Sequence, residues 1–250
     1  MMFLSILIGY FEQFIFVFIL IFFHELGHFE TARLFKYKTD KIYLYPTGGI
    51  SKFTGTINQT FIKELLVLIN GPLFQIITYL LIKKFYPYER SLVYLKNVHY
   101  SILIFNLLPI YPLDGGKLVN LFLNKILSFR KSFNYTIYIS YFVIIIFILK
   151  IPFNFKINYL FMILFLLYKT TEEYKKRNYY FDKFVLERYL YSFNINKICI
   201  VDSIKNFKKY YKHIIKSNNK IILEKEALKE KFERKKTSTW CLLNFFSNTT

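Results

Sequence analysis

From Phe14 to Phe23 the chain is hydrocarbon without a break, and the next five residues are His24-Glu25-Leu26-Gly27-His28. Such a run can satisfy its backbone in lipid only as a helix. Continued through the five polar-containing residues, that helix places two imidazoles one turn apart on one face. HExxH on a helix is the spacing of two zinc ligands, and the intervening Glu25 lies where it can take a proton from water. Ionisable groups following a lipid-length apolar run are costly, so the cluster reads as a functional site and not as surface.

The rest of the chain fits a membrane setting. Hydrophobic residues make up 54% and aromatics 21%, too apolar for an ordinary soluble domain. The net charge of +19 invites a nucleic-acid reading, but 19 of the 35 Lys and Arg fall after Leu167 and many of the rest in loops. That distribution suits a positive-inside membrane protein, and no nucleic-acid partner is expected. Cys199 and Cys241 form no metal-binding or disulfide pattern. The N-terminus lacks a basic region and a small-residue cleavage site, and is expected to be a retained span.

Five apolar segments can be drawn: Phe11–Leu34, Phe61–Ile82, Tyr94–Leu108 continuing after a break into Lys117–Leu127, Phe133–Leu149, and Asn158–Leu167. Residues 1–10 are apolar but too short to cross alone. The expected fold is an α-helical polytopic membrane protein of five transmembrane helices, or six if the N-terminus adds one. A membrane-surface β-hairpin is expected around Tyr45–Ile50, flanked by Ile42/Leu44 and Phe53/Ile57, where an extended peptide could pair. The basic tail should be cytoplasmic, which puts the HExxH near the inner end of its helix. Residues 1–168 form the membrane-embedded domain and 169–250 the tail. In the tail, strands at Lys197–Val201 and Lys220–Leu223 should flank a helix over Ile204–Ser217, followed by a charged helix Glu224–Lys236. Thr237–Thr250 is expected to be loosely ordered.

Zinc with an open coordination position needs a third protein ligand. Leu34 stands where a His six residues after His28 would be required. Glu64, opening the second span, is one candidate. Asp114 is the stronger: it is the sole Asp between Asp40 and Asp182, and it ends the stretch Asn106-Leu107-Leu108-Pro109-Ile110-Tyr111-Pro112-Leu113-Asp114-Gly115-Gly116. Pro and Gly should unwind the backbone there, and a lone carboxylate at membrane depth wants a cation. The alternative for Asp114 is a helix cap in a polar loop. His99, about 22 Å of helix from Asp114, is too far to be a ligand and reads as an outer-face or packing residue, and His213 reads as surface.

HELGH within a span, followed by Asn-x-x-Pro-x-x-x-x-Asp-Gly over Asn106–Gly115, resembles the site-2 protease (M50) family of intramembrane zinc metalloproteases, and within it the sporulation members. Asn70-Gly71-Pro72 resembles the family's Gly-Pro element, and Pro46-Thr47-Gly48-Gly49 its hairpin turn. The likeness extends over roughly residues 11–236, including Leu186-Glu187-Arg188-Tyr189. It implies His24, His28 and Asp114 as ligands of one Zn2+, Glu25 as general base, and a membrane-tethered substrate cut near the cytoplasmic face of a bacterial cell membrane. An inactive sigma-factor precursor would be such a substrate, and a membrane inhibitor or regulatory protein such a partner. Asn106 could bind the substrate backbone or the oxyanion, or else be a satisfied interhelical amide, and the Gly48–Gly49 hairpin could hold the substrate as an added strand. The tail is similar to a shortened CBS domain, and its lack of glycine argues against nucleotide binding. Two alternatives stay open: a regulatory homologue without turnover, and a membrane zinc hydrolase of another type using Glu64.

Overall fold

The computed structural model describes residues 11–37, 39–45, 48–53, 57–150, 157–217 and 220–234. Helix α1 spans Phe11–Leu34, as the apolar run and its HELGH ending require. A hairpin follows, β1 (Thr39–Tyr45) and β2 (Gly48–Phe53), antiparallel with Tyr45 opposite Gly48 and Leu44 opposite Gly49. It packs along α1. Pro46 and Thr47 lie outside the described residues.

Helix α2 (Phe61–Phe85) runs beside α1, and α3 (Glu89–Leu107) packs on both. Phe16, Leu20, Tyr79 and Leu95 form the buried core where the three meet. After a break of six residues come α4 (Asp114–Ile126), α5 (Phe129–Lys150) and α6 (Ile157–Lys175). Ile110 from the break is buried with Ile144, Ile163 and Leu166. Of the five expected segments, α1, α2 and residues Phe129–Leu149 of α5 are helices long and apolar enough to cross a membrane. The third and fifth also form helices, but α3 opens with charged residues and α6 ends in Thr170-Thr171-Glu172-Glu173-Tyr174-Lys175. Residues 1–10, too short to cross alone and the basis of the six-span alternative, lie outside the described residues.

The break was expected to continue through Gly115 and Gly116. Instead the helix restarts at Asp114, with both glycines in its first turn. Their role is close approach. A Cβ on Gly115 would stand 2.1 Å from the Leu107 carbonyl oxygen, and one on Gly116 2.4 Å from the Ile110 carbonyl carbon. The chain therefore folds back on itself tightly enough to bring Asp114 under the end of α3.

The tail departs from its sequence reading in three places. Helix α7 (Arg177–Leu190) was not foreseen; it buries Phe181, Phe184, Val185, Glu187 and Arg188. The helix expected over Ile204–Ser217 is a single 3-10 turn, Ile204–Asn206, followed by strand β4 (Lys212–Ser217). In β4, His213 and Ile215 are buried while Lys212 and Lys216 are exposed, a period of two and not of 3.6. β4 pairs in parallel with β3 (Ile198–Val201) and antiparallel with β5 (Lys220–Leu223). The charged helix is α8, Glu224–Arg234. Residues 235–250, including Cys241, lie outside the described residues.

The tail is fastened to one end of the helical part. Phe129, at the start of α5, shares a core with Phe184, Val201, Phe207, Ile215 and Leu228. The Phe129 amide donates to the Phe207 carbonyl at 2.9 Å. Asn58, just before α2, donates to Glu187 Oε2 at 3.0 Å and accepts from Arg188 Nε at 2.8 Å. These contacts gather the tail, the start of α5 and the N-terminal end of α2 at the same level.

Candidate metal centre

His24 and His28 lie on the face of α1 turned toward α2, and both are buried, 2% and 5% exposed. Two glycines make that burial possible. A Cβ on Gly27 would lie 2.3 Å from the Asn70 carbonyl oxygen of α2, so the glycine of HELGH is where the two backbones touch. A Cβ on Gly71 would lie 2.2 Å from His28 Nε2, so this glycine leaves room for the imidazole. Thr31 Oγ1 donates to the Gly27 carbonyl and accepts from Asn70 Nδ2, both at 2.8 Å, which pins the crossing.

Each imidazole is held from behind. His28 Nδ1 donates to the Val67 carbonyl at 2.8 Å. Pro72, inside α2, has no N–H to donate to the carbonyl of Leu68, the residue next to Val67. His24 Nδ1 lies 3.0 Å from Gln75 Oε1. The Gln75 amide is oriented by its other end, where Nε2 donates to the His99 carbonyl at 3.0 Å and faces His99 Nδ1 at 3.3 Å. Its oxygen therefore faces His24, and His24 Nδ1 must carry the proton. His99 is buried and stacks on Tyr79 with ring centroids 4.3 Å apart, the packing role expected of it.

In neutral rings with Nδ1 protonated, as metal ligation requires, both Nε2 atoms present lone pairs. They converge with Asp114 Oδ2: 2.9 Å from His24 Nε2, 3.0 Å from His28 Nε2, and 3.3 Å between the two nitrogens. Asp114 is 5% exposed. Three acceptors at these distances repel one another unless a cation lies among them. The donor set is two imidazoles and one carboxylate, and the spacing approaches the ~3.3 Å that separates ligands around a tetrahedral zinc with ~2.0–2.1 Å bonds. Among the described residues this is the one group of three His, Cys, Asp or Glu side chains able to share an ion. The donor set fits zinc.

The loop carrying Asp114 is fixed from two other helices. The Tyr111 amide donates to Ser140 Oγ on α5 at 2.8 Å, and its carbonyl accepts from Thr170 Oγ1 on α6 at 2.9 Å. Both hydroxyls are fully buried.

The alternative ligand Glu64 is committed elsewhere. It accepts from Tyr210 Oη at 3.0 Å and pairs with Lys209 Nζ, joining the first turn of α2 to the tail. Glu25 is half-buried between the two histidines. Asn106 is half-buried in the last turn of α3, and among the described residues no hydrogen bond joins it to the metal-binding group. Gly48 and Gly49 open β2 in the hairpin beside α1.

Against known proteins, the model of peptidase family M50 matches residues 13–88 and 86–150. The chain belongs to peptidase family M50. As a site-2 protease family member it is 30% identical over 192 residues to stage IV sporulation protein FB of Bacillus subtilis, covering 74% of this chain and 67% of that protein. It is 32% identical over 126 residues to a zinc metalloprotease of Methanocaldococcus jannaschii, covering 48% of this chain and 36% of that one. A solved site-2 protease from Methanocaldococcus jannaschii superposes with a TM-score of 0.54 at 28% identity, over 68% of this chain and 82% of the other. The family is one of membrane metalloproteases, which accounts for the apolar helices and the buried donor set together.

Gln75 escaped the sequence reading, although a signal existed. It is the one amide in the apolar stretch Pro72–Tyr79 of a spanning helix, and an amide in that setting needs a partner.

Proposed function

We propose that this chain is an active zinc endopeptidase that cuts a membrane-tethered protein near the cytoplasmic face. One observation carries the reading: two imidazoles, each with its proton turned outward to a fixed acceptor, aim their lone pairs at one carboxylate oxygen in a buried site. His24, His28 and Asp114 would hold the zinc. When bound, the ion supplies Lewis acidity, lowering the pKa of water and polarising a peptide carbonyl. Glu25 takes the proton of the attacking water and returns it to the leaving amine. A helical carbonyl is already hydrogen-bonded, so the substrate must unwind before it can react. The Gly48–Gly49 edge of β2 would receive the unwound segment as an added strand, and Asn106 would donate to its backbone.

We read α3 and α6 as further spans, giving five, with the tail cytoplasmic by its excess of Lys and Arg. The M50 site lies close to the tail-facing end: Val67, which accepts from His28, is one turn beyond Glu64, which accepts from Tyr210. Similarity to a sporulation protein favours an inactive sigma-factor precursor as substrate and a membrane inhibitor as partner. The test is co-expression of the wild type and Glu25→Gln with candidate membrane-tethered precursors. The variant should retain one zinc per chain and lose cleavage. Wild-type cleavage by Glu25→Gln would overturn the proposal.

A further inference from the structure

The two oxygens of Asp114 have different partners. Oδ2 faces both imidazoles, while Oδ1 accepts a hydrogen bond from Lys117 Nζ at 3.0 Å. Asp114 and Lys117 stand three residues apart on α4, so the ammonium reaches back over the outer edge of the carboxylate. Gly115 and Gly116 between them carry no side chain, which makes Lys117 the first side chain after Asp114 on the helix. The Lys117 side chain is 44% exposed and that of Asp114 only 7%, so the lysine approaches from the open side of a closed group.

By charge alone, an ammonium beside a site for a divalent cation opposes metal binding. Its placement therefore needs a local reason. A carboxylate left free can wrap a metal with both oxygens, and a second oxygen would fill the position that water requires. An ammonium has three donors and no acceptor, and its bond to a carboxylate is charge-assisted. It can occupy Oδ1 and cannot itself bind the metal while protonated.

We propose that Lys117 is a positioning residue that confines Asp114 to one-oxygen coordination and so keeps one metal position open for water. The proposal rests on the zinc-site reading above, and it assigns to this lysine a task that neither metal ligand nor base performs. Arg can supply the same charge-assisted donor at this edge. Met has similar length and no donor.

The test uses the full chain, purified and loaded with Co2+ in place of zinc, as wild type, Lys117→Met and Lys117→Arg. The wild type should bind one metal and show the intense visible absorption of a four-coordinate site. Lys117→Met should still bind one metal, with that absorption shifted in position and intensity as the second Asp114 oxygen takes the place of water. Lys117→Arg should restore the wild-type spectrum. With a cleavable substrate, Lys117→Met should lower kcat and leave KM unchanged. An unchanged Lys117→Met spectrum overturns the clamp. A wild type that takes up no metal overturns the metalloprotease reading itself, so the two failures are separable. X-ray absorption of the zinc-loaded wild type needs no variant: two Asp114 oxygens at bonding distance would also overturn the clamp.

Discussion

Among the described residues, two of the buried polar networks solve the problem of buried charge in opposite ways. In the tail, Arg188 donates to Glu224 Oε1 at 2.9 Å, to Asn58 Oδ1 and to the Tyr211 carbonyl at 2.8 Å, and lies over the Phe184 ring. Glu224 Oε2 accepts from the His213 amide at 2.7 Å. The His213 ring, fully buried, stacks on Phe207 with centroids 4.1 Å apart and accepts from the Lys208 amide at 2.8 Å. His213, read from sequence as a surface residue, is thus a core residue. Here the chain supplies its own cation. At the His24–His28–Asp114 group Lys117 pairs with the outer oxygen of Asp114, but the imidazole donors point outward and three acceptors point inward, so the centre of the group is built to take a cation that the chain does not supply. One network is complete as folded, and the other is a receptor.

That contrast is open to attack, beginning with the largest effect. Asp114→Asn should lower zinc content from one per chain to near zero. Chelation should then destabilise the wild type by up to about 4 kcal/mol at saturating metal and leave the variant unmoved, as thermal melts with and without chelator would record. Equal shifts in both proteins would mean that the group is self-sufficient after all. Arg188→Met leaves Glu224 buried without its cation and should cost about 3–5 kcal/mol, read as a drop in unfolding midpoint, with zinc content unchanged. Zinc lost in step with the fold would join the two networks into one.

Gly71→Ala and Gln75→Leu test the support behind the receptor. The first puts a methyl into the His28 ring and the second removes the acceptor for His24 Nδ1. Zinc affinity should fall about 10–100-fold for Gln75→Leu and at least as far for Gly71→Ala, measured by competition with a metallochromic chelator.

The smallest effect is a pH dependence confined to the tail. Burial alone would raise Glu224, but hydrogen bonds from His213 and the charge of Arg188 outweigh it and hold the carboxyl at about 2. Its folded value is depressed, so its contribution to stability is present above the ordinary carboxylate range and is lost as pH falls from there toward 2. Burial also pushes the His213 imidazole below its usual range, against the opposing hydrogen bond that it donates to Glu224. A neutral buried histidine is favoured by folding, so stability falls as pH drops below the unfolded-state value near 6.5. Both groups make acid destabilising. Protease protection of the tail between pH 7 and 3 should decline in the wild type and flatten at its lower end in Glu224→Gln. A wild-type profile as flat as the variant's would remove Glu224 from the account.

The readability of these two regions differed for a physical reason. HELGH is local: a helix alone sets the spacing of His24 and His28, and the adjoining hydrocarbon run makes the helix certain. Asp114 was legible as an isolated carboxylate in a Pro- and Gly-rich break. The tail offered no such markers. Its helix α7 carries its apolar residues among charged ones, and β4 was mistaken for helix because Lys208–Lys216 is dense in residues tolerated by both. Only pairing with β3 and β5 decides it, and such pairing is long-range.

By itself the sequence determined the apolar helices, the hairpin, and the two halves of a metal-binding motif, because each depends on residues within a few turns of one another. Tertiary structure decided the rest. It placed Gly27 and Gly71 where α1 and α2 touch, turned Gln75 toward His24, sent Glu64 to the tail, and split the oxygens of Asp114 between two histidines and Lys117. Those outcomes depend on which faces of distant helices meet, and no local propensity encodes that.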